Sequence, residues 1–182
     1  MNHLTTEQLQ AGLPEIQAAP REEGVLAMIV RRPDIDQREV LTEGQLDLNE
    51  GLIGDNWKIR GSSRTPDGLA HPDMQLNVMN ARSIALLAQQ RERWPLAGDQ
   101  LYVDLDISKE NLPIGTQLAI GEAIIEITEP PHNGCDKFMA RYGADAVRFV
   151  NSPIGKQLRL RGFNAKVVHP GTIREGDIVR KL

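Results

Sequence analysis

The sequence is poor in cysteine, in aromatic residues and in long hydrophobic runs, and each shortage excludes a class of protein. A single cysteine, Cys135, excludes an intrachain disulfide and any zinc or iron–sulfur site built on cysteine pairs. Because only 4% of the residues are aromatic, we expect a core of Ile, Leu, Val and Ala. No apolar run approaches the roughly 20 residues that a membrane-spanning helix requires.

Several sequence motifs are missing as well. There is no Gly-x-Gly-x-x-Gly, P-loop, His-Glu-x-x-His or Gly-x-Ser-x-Gly motif. The sequence therefore lacks the motifs typical of Rossmann enzymes, nucleotide kinases, zincins and serine hydrolases. The four histidines are scattered along the chain, which argues against a metal site made of protein side chains alone. The formal net charge of −4 over 182 residues argues against a general binder of nucleic acid or of an anionic membrane.

The N-terminal residues, 1–23, form a polar leader with one short predicted helix over residues 5–11. They lack the basic start and the apolar centre of a signal peptide, so we expect a cytoplasmic protein. The remaining residues, 24–182, contain no obvious linker and are predicted to form a single domain. With 40% hydrophobic and 25% charged residues, the composition is that of an ordinary globular chain.

Short strands punctuated by glycine dominate the predicted domain, and two longer helices interrupt them. This pattern predicts a mainly β protein with peripheral helices, an α+β arrangement whose sheet is closed or folded over to protect its edges. A helix capped by Asn80 is predicted over residues 81–93, and another over residues 136–150. The predicted strands are residues 24–30, 38–42, 45–48, 75–78, 117–120, 123–128 and 176–179.

The clearest local feature is the run Pro130-Pro131-His132-Asn133-Gly134-Cys135, which joins a strand to a helix. It places Cys135 at the first helical turn, where the backbone amides favour a thiolate suited to nucleophilic chemistry or to a soft metal. The alternative is a small buried cysteine that only packs. His132 is a candidate base for the thiol, and the alternative is a solvated loop histidine.

Basic residues are concentrated on both sides of this loop. Two such concentrations in an acidic protein can converge on a phosphate or another anion, and the alternative is a set of solvated surface charges. The residues are Lys58, Arg60 and Arg64 before the cysteine, and Lys137, Arg141, Arg148, Lys156, Arg159 and Arg161 after it.

The order of these features resembles the MOSC domain family, named for the C-terminal domain of molybdenum cofactor sulfurases, over residues 25–182. The resemblance rests on these segments around Cys135: Arg32-Pro33, Gly51-Leu52-Ile53-Gly54-Asp55, Gln75-Leu76-Asn77-Val78, Gly98-Asp99-Gln100-Leu101, Leu112-Pro113-Ile114-Gly115-Thr116, Arg161-Gly162-Phe163-Asn164-Ala165-Lys166-Val167 and Gly176-Asp177-Ile178-Val179. Two positions depart from the family pattern. Gly134 stands where proline commonly precedes the cysteine, and Asp99-Gln100 stands where Glu-Asn is usual.

The resemblance implies a MOSC-type β-barrel with a pocket for the molybdenum cofactor, a molybdenum held by a pterin dithiolene with a terminal phosphate. It makes Cys135 the metal ligand or the sulfur-carrying thiol. His132 stays a second catalytic candidate because it lies three residues before the cysteine. It also places the cofactor-binding loop after the Gly54-Asp55 turn. The residues predicted to bind the cofactor are Asp55, Lys58, Arg60, Arg64, Lys137 and Arg141.

Three functions remain open at this point. The first is an oxidoreductase that reduces N-hydroxylated small molecules with electrons from a partner reductase, because no flavin or iron–sulfur motif is visible. The second is a carrier that receives sulfur from a cysteine desulfurase as a persulfide on Cys135. The third is an interaction domain that has kept the fold and lost the cofactor.

Overall fold

The computed structural model describes residues 3–182, which contain both strands and short helices. The strands are β1 (Glu23–Arg31), β2 (Glu39–Leu41), β3 (Glu43–Asp47), β4 (Gly51–Leu52), β5 (Leu76–Asn80), β6 (Leu101–Asp104), β7 (Gln117–Ile120), β8 (Ala123–Ile127), β9 (Phe163–His169), β10 (Gly171–Arg174) and β11 (Ile178–Lys181). The helices are α1 (Thr6–Ala11), α2 (Leu13–Gln17), α3 (Trp57–Arg60), α4 (Ala81–Ala88), α5 (Asp136–Tyr142), α6 (Ala144–Asn151) and α7 (Pro153–Gln157), with 3-10 helices at Pro72–Met74 and Arg91–Ala97.

Seven of the strands in residues 3–182 form a closed barrel. Their order is β11-β7-β8-β9-β5-β6-β1, and β1 pairs with β11 to close the ring. Only the β5–β6 pair among these is parallel, while β2 extends the sheet beside β1. Closure removes the open edges that glycine-punctuated short strands would otherwise expose. The predicted mainly β fold with peripheral helices is therefore confirmed.

The barrel wall separates two apolar cores. Aliphatic residues and Phe163 fill the interior, whereas the aromatic side chains Tyr102, Phe138 and Tyr142 lie between the outside of the barrel and the helices. A register shift in β1 between Leu26 and Met28 changes which face its side chains meet. As a result Leu26 belongs to the inner core and Met28 to the outer one, although strict alternation would place both on one face.

The N-terminal residues from 3 onward pack onto the outer core. The Thr5 hydroxyl accepts a hydrogen bond from the Gln8 backbone N–H, and the Gln8 side chain accepts one from the Thr5 N–H, so a capping box starts α1. Leu9 and Ile16 are buried in the outer core, where α1 contacts α6 and α2 contacts α4. The described part of the predicted leader is therefore helical and docked on the domain.

Two predicted helices are shorter than the sequence pattern indicated. Asn80 does cap α4, since its side-chain oxygen accepts hydrogen bonds from two backbone N–H groups, but the helix ends at Ala88 and not at residue 93. Gln89 ends it with a left-handed backbone of φ 62°, and a 3-10 helix follows. The predicted helix over residues 136–150 is broken by Gly143, whose φ of 94° is accessible to glycine at little cost. Among residues 3–182, no helix is both long and apolar enough to cross a lipid bilayer.

Candidate active site

A cavity of about 370 Å³ brings together basic side chains from distant parts of the chain. Its walls come from the β1–β2 connection, from α3 and the loop after it, from the end of the second 3-10 helix and from the loop before α5. Two acidic residues, Asp34 and Asp36, lie in the same lining, so positive charge dominates and the cavity suits an anionic ligand. The basic lining residues are Arg32, Arg38, Arg60, Arg64, Lys137, Arg141 and Arg161.

Cys135 lies at this cavity with an exposed side chain. It is the N-cap residue of α5, and its carbonyl oxygen accepts a hydrogen bond from the Met139 N–H at 2.9 Å. The residue before it is held by Asn151 of α6, whose Oδ1 accepts from the Gly134 N–H at 2.9 Å and whose Nδ2 donates to the Gly134 carbonyl at 3.0 Å. This pair of hydrogen bonds fixes the backbone that presents the thiol.

Glycine at position 134 is required by the packing of this loop. A Cβ atom there would lie 2.9 Å from Val150 Cγ2 and 3.4 Å from Asn151 Nδ2. Proline would also remove the N–H group that Asn151 binds. This chain therefore has a glycine where proline is common in the family. The two hydrogen bonds from Asn151 fix the backbone at this position in place of the proline ring.

The floor of the cavity contains a buried ion pair between Arg32 and Asp55. The two nitrogens Nε and Nη2 of Arg32 donate to the two carboxylate oxygens of Asp55 at 2.8 and 2.7 Å. Arg32 Nη1 donates to Asn77 Oδ1 and to the Gly98 carbonyl. The Asp55 side chain is fully buried and also accepts from the Trp57 N–H, so it holds Arg32 in place and is not itself part of the cavity lining.

A second buried ion pair connects the barrel to His132. Arg161 Nη1 lies 2.9 and 2.7 Å from the two oxygens of Asp99, and the guanidinium stacks 4.8 Å from the centre of the Phe138 ring. His132 Nε2 lies 2.8 Å from Asp99 Oδ1. The histidine thus contacts the buried carboxylate, and its hydrogen bond is not made to the Cys135 thiol. Arg161, Asp99 and His132 form a continuous polar chain that ends at the cavity.

The charges of this chain are set by burial and by each other. Burial opposes ionisation of Asp99, but Arg161 and His132 outweigh it and hold the pKa of Asp99 below its ordinary value. Burial and the nearby Arg161 lower the pKa of His132 in spite of Asp99. A neutral His132 therefore donates its Nε2–H to the Asp99 carboxylate, and its Nδ1 presents a lone pair. Within residues 3–182, that Nδ1 makes no hydrogen bond.

Two arginines of the lining are crowded by other cations. Burial, followed by repulsion from Arg141 and Arg32, lowers the pKa of Arg38. Arg60 is exposed overall, but the surrounding cavity walls partly desolvate its guanidinium. This desolvation, followed by repulsion from Arg32, lowers the pKa of Arg60. Asp36 partly compensates, because it lies 3.1 Å from Arg141 and 3.9 Å from Lys137. An anion bound in the cavity would relieve the remaining repulsion.

The structure brings most of the predicted site residues together, although they come from separate segments. Those that line the cavity are Arg60, Arg64, His132, Cys135, Lys137 and Arg141. Lys58 lies outside the lining and pairs with Glu50 at the surface, because α3 directs it away from the cavity. Asp55, as described above, acts through Arg32.

Sequence reasoning missed Arg32 and Arg38 as cavity residues and did not give Asp99 a role. Arg32 was visible only as part of the Arg32-Pro33 segment, and Arg38 only as the start of a predicted strand. Asp99 lies 62 positions from its partner Arg161, so no local pattern connects the two. Asp99 lies between Gly98 and Gln100, and Arg32 lies between Arg31 and Pro33, so no apolar surroundings in the sequence marked either charge as buried.

Comparison with known proteins identifies the class to which this fold and site belong. The family model of the MOSC domain matches residues 65–180, well over half of the chain. The chain belongs to the MOSC domain family, which is associated with the molybdenum cofactor. No curated protein matches the chain in sequence.

Solved structures show the same fold at low sequence identity. The YuaD protein from Bacillus subtilis is similar with a TM-score of 0.64 and 16% identity, over 86% of this chain and 94% of that one. YiiM from Escherichia coli is similar with a TM-score of 0.56 and 19% identity, over 87% of this chain and 69% of that one. YiiM from Geobacillus stearothermophilus has a TM-score of 0.52 and 11% identity, over 90% and 74% of the two chains.

The residues at the cavity fit the molybdenum cofactor chemically. A thiolate is a suitable ligand for a metal already held by sulfur, and guanidinium groups suit a terminal phosphate. Within residues 3–182 no cluster of three or more His, Cys, Asp or Glu side chains could hold a metal ion, so the other metal ligands would come from the cofactor. Asn56 in the lining has a buried Oδ1 without a hydrogen-bond donor, which the N–H groups of a pterin could supply.

Proposed function

We propose that this protein binds the molybdenum cofactor in the cation-lined cavity and reduces N-hydroxylated small molecules with electrons from a partner reductase. The observation that carries the proposal is an exposed thiol, Cys135, at a cavity lined by seven basic residues. Membership of the MOSC domain family gives this chemistry its context. In this proposal Cys135 is the protein ligand of the molybdenum.

In this proposal the basic side chains have two different roles in binding the cofactor. Arg60 at the end of α3 and Arg64 in the loop after it are exposed, so they are available to bind the terminal phosphate. Arg32 and Arg161 are held rigidly by buried carboxylates, and they supply fixed positive charge at the floor of the cavity. Because their positions are fixed before a ligand arrives, little reorganisation is needed when an anion binds.

The reduction replaces an N–OH bond with N–H and releases water, which consumes two electrons and two protons. When bound, the molybdenum cofactor supplies the two-electron redox chemistry. His132 is placed to deliver a proton, since Nε2 is tied to Asp99 and Nδ1 is free to accept a proton from water. Its lowered pKa makes the protonated ring a ready donor to the departing oxygen.

A second function, sulfur carriage, is favoured by the exposure of the same thiol. Cys135 Sγ would take the terminal sulfur of a desulfurase persulfide, forming a new S–S bond and releasing the desulfurase thiol. This role needs no substrate reduction. Intact-mass spectrometry after incubation with a cysteine desulfurase separates the two functions, because the carrier keeps a single-sulfur adduct that Cys135→Ser cannot form.

The proposal is tested by the molybdenum content of protein purified from a host that makes the cofactor. We expect stoichiometric molybdenum in the wild type and loss of most of it in Cys135→Ser. Lys58→Gln is the matched control, because Lys58 follows the same turn but lies outside the cavity, and it should retain the metal. A folded wild type without molybdenum, or equal metal in Cys135→Ser, would contradict the proposal.

A further inference from the structure

A second cavity, of about 350 Å³, lies on the other side of the loop that carries Cys135. Both cavities are bounded by His132, by its neighbours Pro131 and Asn133, and by Arg161. The loop is therefore a shared wall, with Cys135 in the lining of the first cavity and not of the second. The proposed function gives the second cavity no role.

One side of this second cavity is basic. Lys109, Lys156 and Arg159 lie in its lining, and within residues 3–182 none of the three forms an ion pair with a carboxylate. Glu129 is also in the lining but does not lie within ion-pair distance of them. In a chain with a net charge of −4, three unpaired cations around one cavity form a local site for an anion.

The basic residues are held in position by contacts that leave donor groups available. The Lys109 N–H donates to the Gln157 carbonyl at 3.0 Å, which ties the Lys109 loop to the helix that carries Lys156. Arg159 has a left-handed backbone with φ 50°, and its Nη1 donates to the Leu112 carbonyl at 2.5 Å. The described contacts of its side chain use Nη1, so Nε and Nη2 remain available as donors.

Apolar side chains also line the second cavity. Ile114, Val150 and Phe163 contribute to it, and Ile114 is 60% exposed, which is unusual for a large aliphatic side chain. The Arg159 guanidinium lies 5.7 Å from the centre of the Phe163 ring, so the apolar and basic surfaces meet. A ligand that satisfies both surfaces has an anionic end and an apolar body.

Arg161 adds a buried donor to the shared wall. Its side chain is 7% exposed, and its Nε is buried without a hydrogen-bond partner among residues 3–182. Its other nitrogens are taken by Asp99 and by the Ala97 carbonyl. A buried N–H without an acceptor is costly, and a ligand or a water molecule in either adjoining cavity would supply the acceptor.

We propose that the second cavity binds a small organic carboxylate with an apolar or aromatic body, at a site distinct from the cofactor cavity. Lys109, Lys156 and Arg159 bind the carboxylate, and Ile114, Val150 and Phe163 cover the body of the ligand. This proposal does not rest on the molybdenum cofactor, because no residue that it assigns to the ligand lines the first cavity.

The test is a titration of the full chain with benzoate, followed by two-dimensional amide NMR. Benzamide serves as the uncharged analogue, and inorganic phosphate serves as an anion without an apolar body. We expect benzoate to cause saturable shifts of the amides of Lys109, Ile114, Gly155, Lys156 and Arg159, which line only the second cavity. The same amides should report at least about tenfold weaker binding of the other two ligands.

Matched double variants separate the two cavities. Lys109→Gln with Lys156→Gln removes two cations from the second cavity and should weaken benzoate binding about tenfold. Arg60→Gln with Arg64→Gln removes the same charge from the first cavity and should leave benzoate binding unchanged. Equal binding of benzoate and benzamide, phosphate binding as tight as benzoate, shifts confined to the first cavity, or no saturable binding would each overturn the proposal.

Discussion

At the scale of single residues, burial decides what each charge does. Asp55 and Asp99 have fully buried side chains, and each holds an arginine that reaches the cation-lined cavity. Arg60 and Arg64 are exposed and remain available to a ligand. The buried acids are therefore positioning residues, and the exposed cations are candidates for direct contact with an anion.

Asp99→Asn should destabilise the fold strongly. The substitution leaves Arg161, which is 7% exposed, without its counter-charge. Breaking a buried ion pair by removing one partner costs about 3–5 kcal/mol. Urea denaturation of the wild type and the variant measures the difference in the free energy of unfolding.

The matched control for this substitution is Glu50→Gln, which breaks the ion pair between Glu50 and Lys58. Both side chains of that pair are about half exposed, at 50% and 49%. Its removal should change the free energy of unfolding by less than about 1 kcal/mol. Similar losses in the two variants would show that the Arg161–Asp99 pair does not support the fold as described.

His132 should make the stability of the protein depend on pH. Its pKa in the folded state lies below the ordinary value of 6.5, so the unfolded chain binds the proton first as the pH falls. The free energy of unfolding should therefore decrease below pH 6.5, over the interval down to the folded pKa. Asp99 stays ionised in this interval, because its pKa is lowered from 3.8.

His132→Gln isolates this contribution, because glutamine can still donate a hydrogen bond to Asp99 but does not titrate. Urea denaturation at about pH 7 and about pH 5 should show a smaller loss of stability in the variant than in the wild type. An equal or larger loss in the variant would contradict the assignment of a lowered pKa to His132.

At the scale of elements, the loop before α5 is the part that brings the two cavities together. Asn151 of α6 forms two hydrogen bonds with Gly134, and this fixes Cys135, the N-cap of α5, beside the cation-lined cavity. His132, two residues earlier, is anchored on Asp99 from the barrel. Contacts with a helix and with the barrel thus position a loop that has no regular structure of its own.

The strands were predictable from sequence, but their partners were not. The apolar run at residues 24–30 predicted β1, yet β1 pairs with β11 near Val25, with β6 along its centre and with β2 near Arg31. A local pattern reports the periodicity of a segment and not its neighbours in space. The break at Gly143 carried a visible signal, because a glycine inside a helical pattern often ends the helix.

The candidate site was predicted in part for the same reason. Cys135, His132 and the basic loop stood out as local sequence features, and the structure places most of them around one cavity. Arg32 and Asp99 could not be connected to them, since only folding brings their strands together. Lys58 was predicted as a site residue because it lies close to Arg60 and Arg64 in the sequence. In the structure it lies outside the cavity lining and pairs with Glu50.

At the scale of the whole molecule, an acidic protein carries two local basic cavities. The net charge is −4, yet basic residues outnumber acidic ones in the lining of both cavities beside the cysteine loop. Basic residues concentrated in the cavities can attract anionic small molecules there, although the protein as a whole is acidic. The barrel contributes the rigid wall, and the loop divides the two sites.

The central claim is that Cys135 supplies a sulfur ligand to molybdenum in the cation-lined cavity. X-ray absorption at the molybdenum edge measures this directly, because it counts the sulfur neighbours of the metal. We predict that the wild-type protein shows one sulfur neighbour more than the pterin dithiolene provides, and that any residual metal in Cys135→Ser lacks it. The same number of sulfur neighbours in both proteins would contradict the account.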